Sequence, residues 1–218
     1  MNTNNHIVFV IDDDQSVCKS LGRLLRTAGH PAETFGSLTD FMSREYYRGA
    51  GCFVMDVCLP EMSGLEASRK LADENYNLPT VFLSGYADVR TSVRAMKGGA
   101  VDYLSKPVDA DLLINAVCTA LDKERRQRIA RGDLEQIYER LESLTPREHE
   151  VFLHVVGGLM NKQIAARLDV GLKTIKVHRA HIMQKMQTKT LADLVRAAVK
   201  AGIADANATN GPIRATAA

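Results

Sequence analysis

The pattern that most constrains this chain is an alternation, over residues 1–120, of short apolar runs with longer stretches of helical spacing. Residues 7–11, 52–55, 80–83 and 101–104 are rich in Val, Ile, Phe and Leu and too short for buried helices, so they are expected to be buried strands. Residues 32–35 form a weaker fifth candidate. After the first run, Val17, Leu21, Leu24, Leu25 and Ala28 make one apolar stripe, with Gly29 placed to end a helix. Strand alternating with helix predicts an α/β fold, a doubly wound five-stranded parallel sheet with helices on both faces. Such sheets collect their functional groups at the carboxyl ends of the strands.

The rest of the chain has a different period. Residues 121–141 read as a charged helical connector in which Leu134, Ile137, Tyr138 and Leu141 recur at helical spacing. That stripe suits either a dimer seam or packing onto a neighbouring domain, and Gly132 is placed to interrupt the helix. Beyond it the sequence is all-α. Thr145-Pro146-Arg147-Glu148 combines a capping Thr, Pro at the first helical position and Glu three residues after the cap. Gly157-Gly158 ends that helix. A short helix is expected over 161–168, a turn at 169–171, a helix to 186, and a last one opened by Thr190 with Asp193 three residues on. The expected division is an α/β domain over 1–122, a helical linker over 123–141, a helical domain over 142–203 and a disordered tail over 204–218, rich in Ala, Asn and Thr.

Composition narrows the class. A chain of 218 residues suits one domain of about 120 residues and a smaller one better than a single core. Its 45% hydrophobic and 25% charged residues are those of a soluble globular protein, and no apolar run approaches the roughly 18 residues that span a bilayer. Residues 1–6 lack a basic stretch followed by an apolar one, so no secretory signal is expected. Cys18, Cys52, Cys58 and Cys118 form no C-x-x-C pair, which speaks against a zinc site or disulfide framework and for a reducing cytoplasm. The net charge of +2 is unevenly spread: residues 1–120 are acidic, 121–145 balanced and 146–218 basic. The basic part suits a polyanionic partner, although ordinary surface charge explains the asymmetry equally well.

Four features converge on one end of the expected sheet. Asp12, Asp13 and Asp14 follow the first strand and Asp56 follows the third. With strand order 2-1-3-4-5, strands 1 and 3 are neighbours, which brings Asp12, Asp13 and Asp56 together. Like charges this close raise one another's pKa unless neutralised. Mg²⁺, a hard cation that takes carboxylates, waters and phosphate oxygens, is the natural neutraliser. An Asp beside such an ion can accept a phosphoryl group covalently. Ser84 follows the fourth strand and Lys106-Pro107 the fifth, bringing a hydroxyl and a cation to the same rim. The Lys106-Pro107 bond is a candidate cis peptide that would aim the lysine inward. Taken singly, an Asp triplet is often a helix cap and a Lys-Pro only a loop; four such elements at four strand ends are hard to explain so.

These residues carry a resemblance. Phe9-Val10-Ile11-Asp12-Asp13-Asp14, the stretch from Val54 through Asp56, Cys58 and Pro60 to Gly64, Leu83-Ser84-Gly85, and Val101-Asp102-Tyr103-Leu104-Ser105-Lys106-Pro107 resemble the receiver domains of two-component response regulators over residues 6–122. The resemblance implies a flavodoxin-like sheet and Asp56 as phosphoacceptor for a sensor histidine kinase. It implies an acid pair of Asp12 and Asp13, with Mg²⁺ held by Asp13, Asp56 and the backbone carbonyl of Cys58. Ser84 and Tyr103 would be the switch pair and Lys106 the phosphoryl contact. Cys58 stands where relatives usually carry Arg, which bears on the lifetime of the phosphoryl group; its thiol suits a small buried hydrophobe or, less commonly, a redox role.

On the expected helix over 172–186, Ile175, Ile182 and Met186 share one arc and should face a core. Lys173, Lys176, Val177, Ala180 and Gln184 lie opposite. That arc suits either a solvated surface or a major groove, where Lys and Gln reach base edges. Lys162, Arg167, Arg179, Lys185 and Lys189 are candidate phosphate contacts. Leu144-Thr145-Pro146-Arg147-Glu148, the run from Asn161 to Leu168, and Thr174-Ile175-Lys176-Val177-His178-Arg179 resemble the LuxR-type helix-turn-helix module, and the whole chain resembles the FixJ-type branch of response regulators. The resemblance implies promoter DNA as partner, residues 172–186 in the major groove with Thr174, His178 and Arg179 among the contacts, and a dimer contact through Val195, Ala198 and Val199. Met160 and Gly171 stand at helix-cap positions where relatives carry hydroxyl residues, and loss of such a cap costs about 1 kcal/mol for Met and a few tenths for Gly.

The expected function is a cytoplasmic, DNA-binding transcription regulator activated by phosphoryl transfer to Asp56. It is expected to dimerise on phosphorylation, through a face around residues 90–97 and the fifth strand, and to need no membrane. A phosphohydrolase using Asp56 as nucleophile is the rival enzyme class, but such enzymes commonly carry a general-acid Asp two residues on, where Cys58 stands here. No turnover is therefore expected beyond self-phosphorylation and its slow loss. A pure interaction module with an inactive receiver is the other rival, and the intact set of Asp12, Asp13, Asp56 and Lys106 speaks against it.

Overall fold

The structure, a computed structural model, describes residues 6–85 and 89–204; the tail expected to be disordered lies outside the described residues except for Ala204. The chain divides into two compact units, Met1–Arg128 and Ile129–Ala218. The first contains β1 (His6–Ile11), α1 (Gln15–Thr27), β2 (Ala32–Phe35), α2 (Leu38–Met42), β3 (Ala50–Asp56), α3 (Gly64–Asp73), β4 (Thr80–Ser84), α4 (Val89–Lys97), β5 (Asp102–Ser105) and the first part of α5 (Ala110–Glu142). The second contains the rest of α5, then α6 (Pro146–Val156), α7 (Asn161–Arg167), α8 (Leu172–Lys185) and α9 (Leu191–Lys200).

The five strands form one parallel sheet in the order β2-β1-β3-β4-β5. Their apolar residues alternate between two faces, as the pleat dictates. Phe9, Ile11, Phe53, Met55 and Phe82 pack with Leu38 and Phe41 of α2, Leu65, Ala67 and Leu71 of α3, and Ala95 of α4. Val8, Val10, Cys52, Val54, Val81 and Leu83 pack on the other side with Cys18, Leu21 and Leu25 of α1 and Leu113, Ala116, Val117 and Ala120 of α5. Both faces are covered, so the strands read as continuous apolar runs. The carboxyl ends of β3 and β4 extend beyond the sequence expectation. Asp56 pairs with Leu83 and Ser84 with Ser105, so Asp56 and Ser84 are the last residues of their strands and not the first beyond them.

α5 runs unbroken through Gly132, where the sequence suggested an interruption. A mid-helix glycine costs only about 1 kcal/mol, and burial on either side of it outweighs that cost. Leu113 and Val117 belong to the sheet core, whereas Ile137 and Leu141 are buried against the helical unit. Tyr138 lies on the same stripe, and its Oη donates to the Ala201 carbonyl at 3.2 Å. Of the two uses open to this stripe, the structure shows packing onto the helical unit.

In that unit Val151 and Phe152 of α6, Ile164 of α7, Ile175, Ile182 and Met186 along α8, and Leu194 and Ala198 of α9 close a second core. Ala198 is fully buried there and offers no surface for a dimer contact; Val195 and Val199 are half-buried. The predicted caps of α6 and α9 form: Thr145 caps with Glu148, and Thr190 with Asp193. At α7 no side chain of Met160 caps the helix, and only its own N–H is satisfied, by Gln163 Oε1 at 2.7 Å. Glu148 does more than cap. It is buried and accepts from Lys185 Nζ at 2.6 Å and from the Thr145 N–H at 2.9 Å, tying α6 to the end of α8.

These contacts set two expectations for stability. Met160→Ser supplies the missing acceptor and should stabilise the helical unit by about 1 kcal/mol, read as slower hydrogen exchange in α7. The Lys185 hydrogen bond, then that of the Thr145 N–H, lowers the Glu148 pKa from 4.5 to about 2. The depressed pKa means that its contribution is present above the unfolded value and lost as pH falls from about 4.5 through about 2. Glu148→Gln should therefore destabilise the unit by about 1–3 kcal/mol at neutral pH, and the difference from wild type, measured by amide exchange in α6 and α8, should vanish in that acid window.

Candidate functional site

The carboxyl ends of β1, β3, β4 and β5 meet as the strand order requires. Asp12 is fully buried, Asp13 exposed and Asp56 buried. One carboxylate oxygen from each lies within 4.8 Å of the others. The third member of the triplet serves elsewhere. Asp14 caps α1, accepting from the Ser16 and Val17 N–H groups at 2.7 and 3.4 Å. Backbone donors orient the two buried carboxylates. The Asp14 N–H reaches Asp12 Oδ1 and the Cys58 N–H reaches Asp56 Oδ1, both at 3.0 Å.

Lys106 joins the pair. Its Nζ stands 2.6 Å from Asp12 Oδ2 and 2.7 Å from Asp56 Oδ2. The Lys106-Pro107 bond is cis, and the Lys106 N–H donates to the Ser84 carbonyl at 2.7 Å, which fixes the lysine against the end of β4. Burial pushes the Asp12 carboxyl above its ordinary range despite the pull of Lys106. Burial alone would depress the Lys106 ammonium, but its close contacts with the Asp12 and Asp56 carboxylates outweigh that and raise it. Ser84 is buried beside them, and Tyr103, paired with Phe82 two residues earlier on β4, carries a buried Oη with no hydrogen-bond partner among the described residues.

The loop after β3 closes tightly over the site. The Gly64 N–H donates to the Val57 carbonyl at 2.8 Å, and a Cβ at Gly64 would stand 2.2 Å from the Asp56 carbonyl oxygen, so no larger residue fits without moving the backbone of the phosphoacceptor candidate. Cys58 bridges to Ser63 across this loop and is exposed, not a buried hydrophobe.

The three carboxylates form a hard, oxygen-only donor set. Asp12 Oδ2 is buried without a well-aligned hydrogen bond even though the ammonium is in ion-pair range. Both observations fit a small divalent cation of the Mg²⁺ class.

In the helical unit α7, the turn at Asp169 (φ 52°) and α8 form a helix-turn-helix. Lys162, Lys173, Thr174, Lys176, Val177, Ala180 and Gln184 are exposed, while His178 and Arg179 are half-buried. Arg167 and Lys189 are exposed as well. Two cations are already engaged. Arg179 Nη1 donates to Asn161 Oδ1 at 2.8 Å and locks α8 onto α7. Lys185 Nζ, expected at a phosphate, is held by Glu148 Oε2 and by the Ser143 carbonyl at 3.0 Å. Sequence spacing missed Asn161 and Glu148 as partners because they lie on other helices, 18 and 37 residues away.

Comparison with known proteins matches two families along the chain. Residues 8–118 match the response regulator receiver domain, and residues 142–198 match the bacterial regulatory proteins of the luxR family. Nodulation protein W of Bradyrhizobium diazoefficiens is 42% identical over 90% of this chain and 87% of its own length. The transcriptional regulatory protein FixJ of Rhizobium meliloti is 37% identical over 91% of this chain and 97% of its own. The solved structure of the response regulator StyR matches 90% of this chain and 99% of its own with a TM-score of 0.79 at 40% identity. Among the described residues no helix is long and apolar enough to cross a membrane. The chain belongs to the response regulators that join a receiver domain to a LuxR-type DNA-binding domain.

Proposed function

We propose that this protein is a cytoplasmic transcription regulator switched by phosphorylation of Asp56, with residues 1–122 as receiver, 123–141 as linker and 142–203 as the DNA-binding domain. The observation that carries the proposal is the Lys106 ammonium, 2.6 Å from buried Asp12 and 2.7 Å from Asp56. A lysine in that position is ready to meet a phosphoryl oxygen, and a carboxylate so placed is ready to accept the phosphoryl group. The phosphorus of a phosphohistidine on the sensor kinase is attacked by an Asp56 carboxylate oxygen. An O–P bond forms, the P–N bond breaks, and the imidazole leaves with the electron pair. Asp12, Asp13, Asp56 and the Cys58 carbonyl would hold Mg²⁺, which when bound offsets the negative charge gathered there.

The Ser84 hydroxyl donates to the new phosphoryl oxygens, and Tyr103 turns its unpartnered Oη into the space this opens. The face of α4 and β5 changes with it. Val89, Val93 and Met96 already expose apolar surface on α4, and this face pairs with that of a second phosphorylated copy. The dimer then presents two copies of α8 to the promoter. Cys58 is a short side chain where relatives carry Arg, and an open path for water beside the phosphoryl group shortens its lifetime. Asp56 is consumed once per phosphorylation cycle, so the protein transfers a phosphoryl group to itself without turning over a substrate.

Incubation with a small phosphodonor and Mg²⁺ should add one phosphoryl group to the chain. Asp56→Asn or chelation of the metal should abolish labelling, and mass spectrometry showing undiminished labelling of Asp56→Asn would sink the assignment. On DNA, Lys176 and Val177 lie mid-arc on α8 and are exposed. Lys176→Ala should cost about 1–3 kcal/mol on the cognate site and little on scrambled duplex. Lys162→Ala should weaken both alike and reduce the slope of log affinity against log salt by about one. Because Lys185 is tied to Glu148, Lys185→Ala should act through stability of the unit more than through the salt slope. Equal loss on both duplexes for Lys176→Ala would show the arc to be only an electrostatic surface.

A further inference from the structure

At the opposite end of β1 from the acidic pocket lies a second group of metal-ligating side chains that phosphoryl transfer does not use. His6 opens β1 and is paired with Ala50 of β3. His30 stands in the turn between α1 and β2, where its N–H donates to the Leu25 carbonyl at 2.9 Å. His6 Nε2 and His30 Nδ1 face each other at 3.0 Å, with the ring centroids 5.2 Å apart. The other nitrogen of His30, Nε2, is 3.8 Å from the Sγ of Cys118 on α5.

Two ring nitrogens that face each other have two uses. One proton between them gives an N–H···N hydrogen bond. A metal ion bridging them, displaced from the line between the two nitrogens, gives two bonds of about 2.0–2.1 Å, for which tetrahedral geometry sets the nitrogens about 3.3 Å apart. The observed separation needs only a few tenths of an ångström to reach that edge. Burial lowers the pKa of both imidazoles, and the neighbouring His30 charge lowers that of His6 further. Metal binds the neutral form of an imidazole. A histidine bound to metal through one nitrogen generally donates its other N–H to a fixed acceptor, and Cys118 Sγ occupies that position for His30.

We propose that His6 and His30 form a binding site for a borderline divalent ion of the Zn²⁺ class, with Cys118 as the outer hydrogen-bond partner of His30 and not a ligand. Imidazole selects such ions and carboxylate oxygens select Mg²⁺, so the two ends of β1 sort two kinds of cation. Two protein ligands make the site weak and leave positions for water or for a donor from another molecule. Occupancy ties the start of β1 to the α1–β2 turn and stabilises the receiver unit.

The test titrates Zn²⁺ into the full chain in large excess of Mg²⁺ against a chromophoric chelator, for wild type, His6→Ala, His30→Ala, Cys118→Ser and Asp13→Asn. One Zn²⁺ should bind per chain. Either histidine variant should weaken it by at least about tenfold, whereas Cys118→Ser and Asp13→Asn should keep it. Zn²⁺ should raise the melting temperature of wild type and not of His30→Ala. Mg²⁺-dependent phosphorylation retained in the histidine variants confirms that they are folded. Zn²⁺ binding that survives in His30→Ala but disappears in Asp13→Asn assigns the ion to the acidic pocket and overturns the proposal, as does wild type that binds none. With Co²⁺ in place of Zn²⁺, a thiolate-to-metal absorption band would contradict the outer position of Cys118.

Discussion

An ammonium held between two carboxylates is the interaction on which the receiver unit's chemistry depends. Asp12 is fully buried at the end of β1, where an uncompensated charge is costly. Lys106 meets it from β5 and meets Asp56 from β3 at the same time. Charges of this kind near 4 Å interact by about 4 kcal/mol at an effective dielectric constant of ~20. A phosphoryl group placed on Asp56 brings added negative charge into this balance and competes for the same ammonium. The perturbation is of the order needed to invert a two-state equilibrium, for which about 5.5 kcal/mol carries 1:99 to 99:1. The buried Tyr103 Oη, without a partner among the described residues, is the element with something to gain from a second arrangement, because a buried hydroxyl lacking a hydrogen bond costs about 1–3 kcal/mol.

The sheet and the pocket were legible because their signals are local. Short apolar runs set the strands, strand order set which ends are neighbours, and acidic and basic residues at those ends set the pocket. What stayed hidden depended on tertiary detail. Whether Asp56 ends its strand or follows it turns on a single residue of parallel pairing with Leu83, which periodicity cannot resolve. The Asp triplet gave three identical letters for two roles, two carboxylates in the pocket and one cap on α1. Gly132 looked like an interruption because propensity is local, whereas the packing of Ile137 and Leu141 that keeps α5 whole is not. Lys185 looked like a free cation because Glu148, its partner, lies two helices earlier.

The helical unit rests on a similar principle in a smaller core. Its α8 starts at Gly171 with no side-chain cap, and α7 starts at Met160 with none. Both helices are instead held from elsewhere. Arg179 to Asn161 fixes α8 against α7, Lys185 to Glu148 fixes the end of α8 against α6, and Ile175 and Ile182 anchor its inner face. The basic outer arc therefore projects from a helix positioned by polar contacts at two points and a buried stripe between them. A rigid presentation of this kind is what base-edge contacts need.

Light scattering is the most direct measurement of whether charge at Asp56 governs assembly. The mass of the full chain is followed across micromolar concentrations, before and after treatment with a phosphodonor and Mg²⁺, for wild type and Asp56→Asn. A rise from the mass of one chain toward that of two in phosphorylated wild type alone is the predicted result. A mass unchanged by phosphorylation, or the same rise in Asp56→Asn, would contradict a switch built on the balance among Asp12, Asp56 and Lys106.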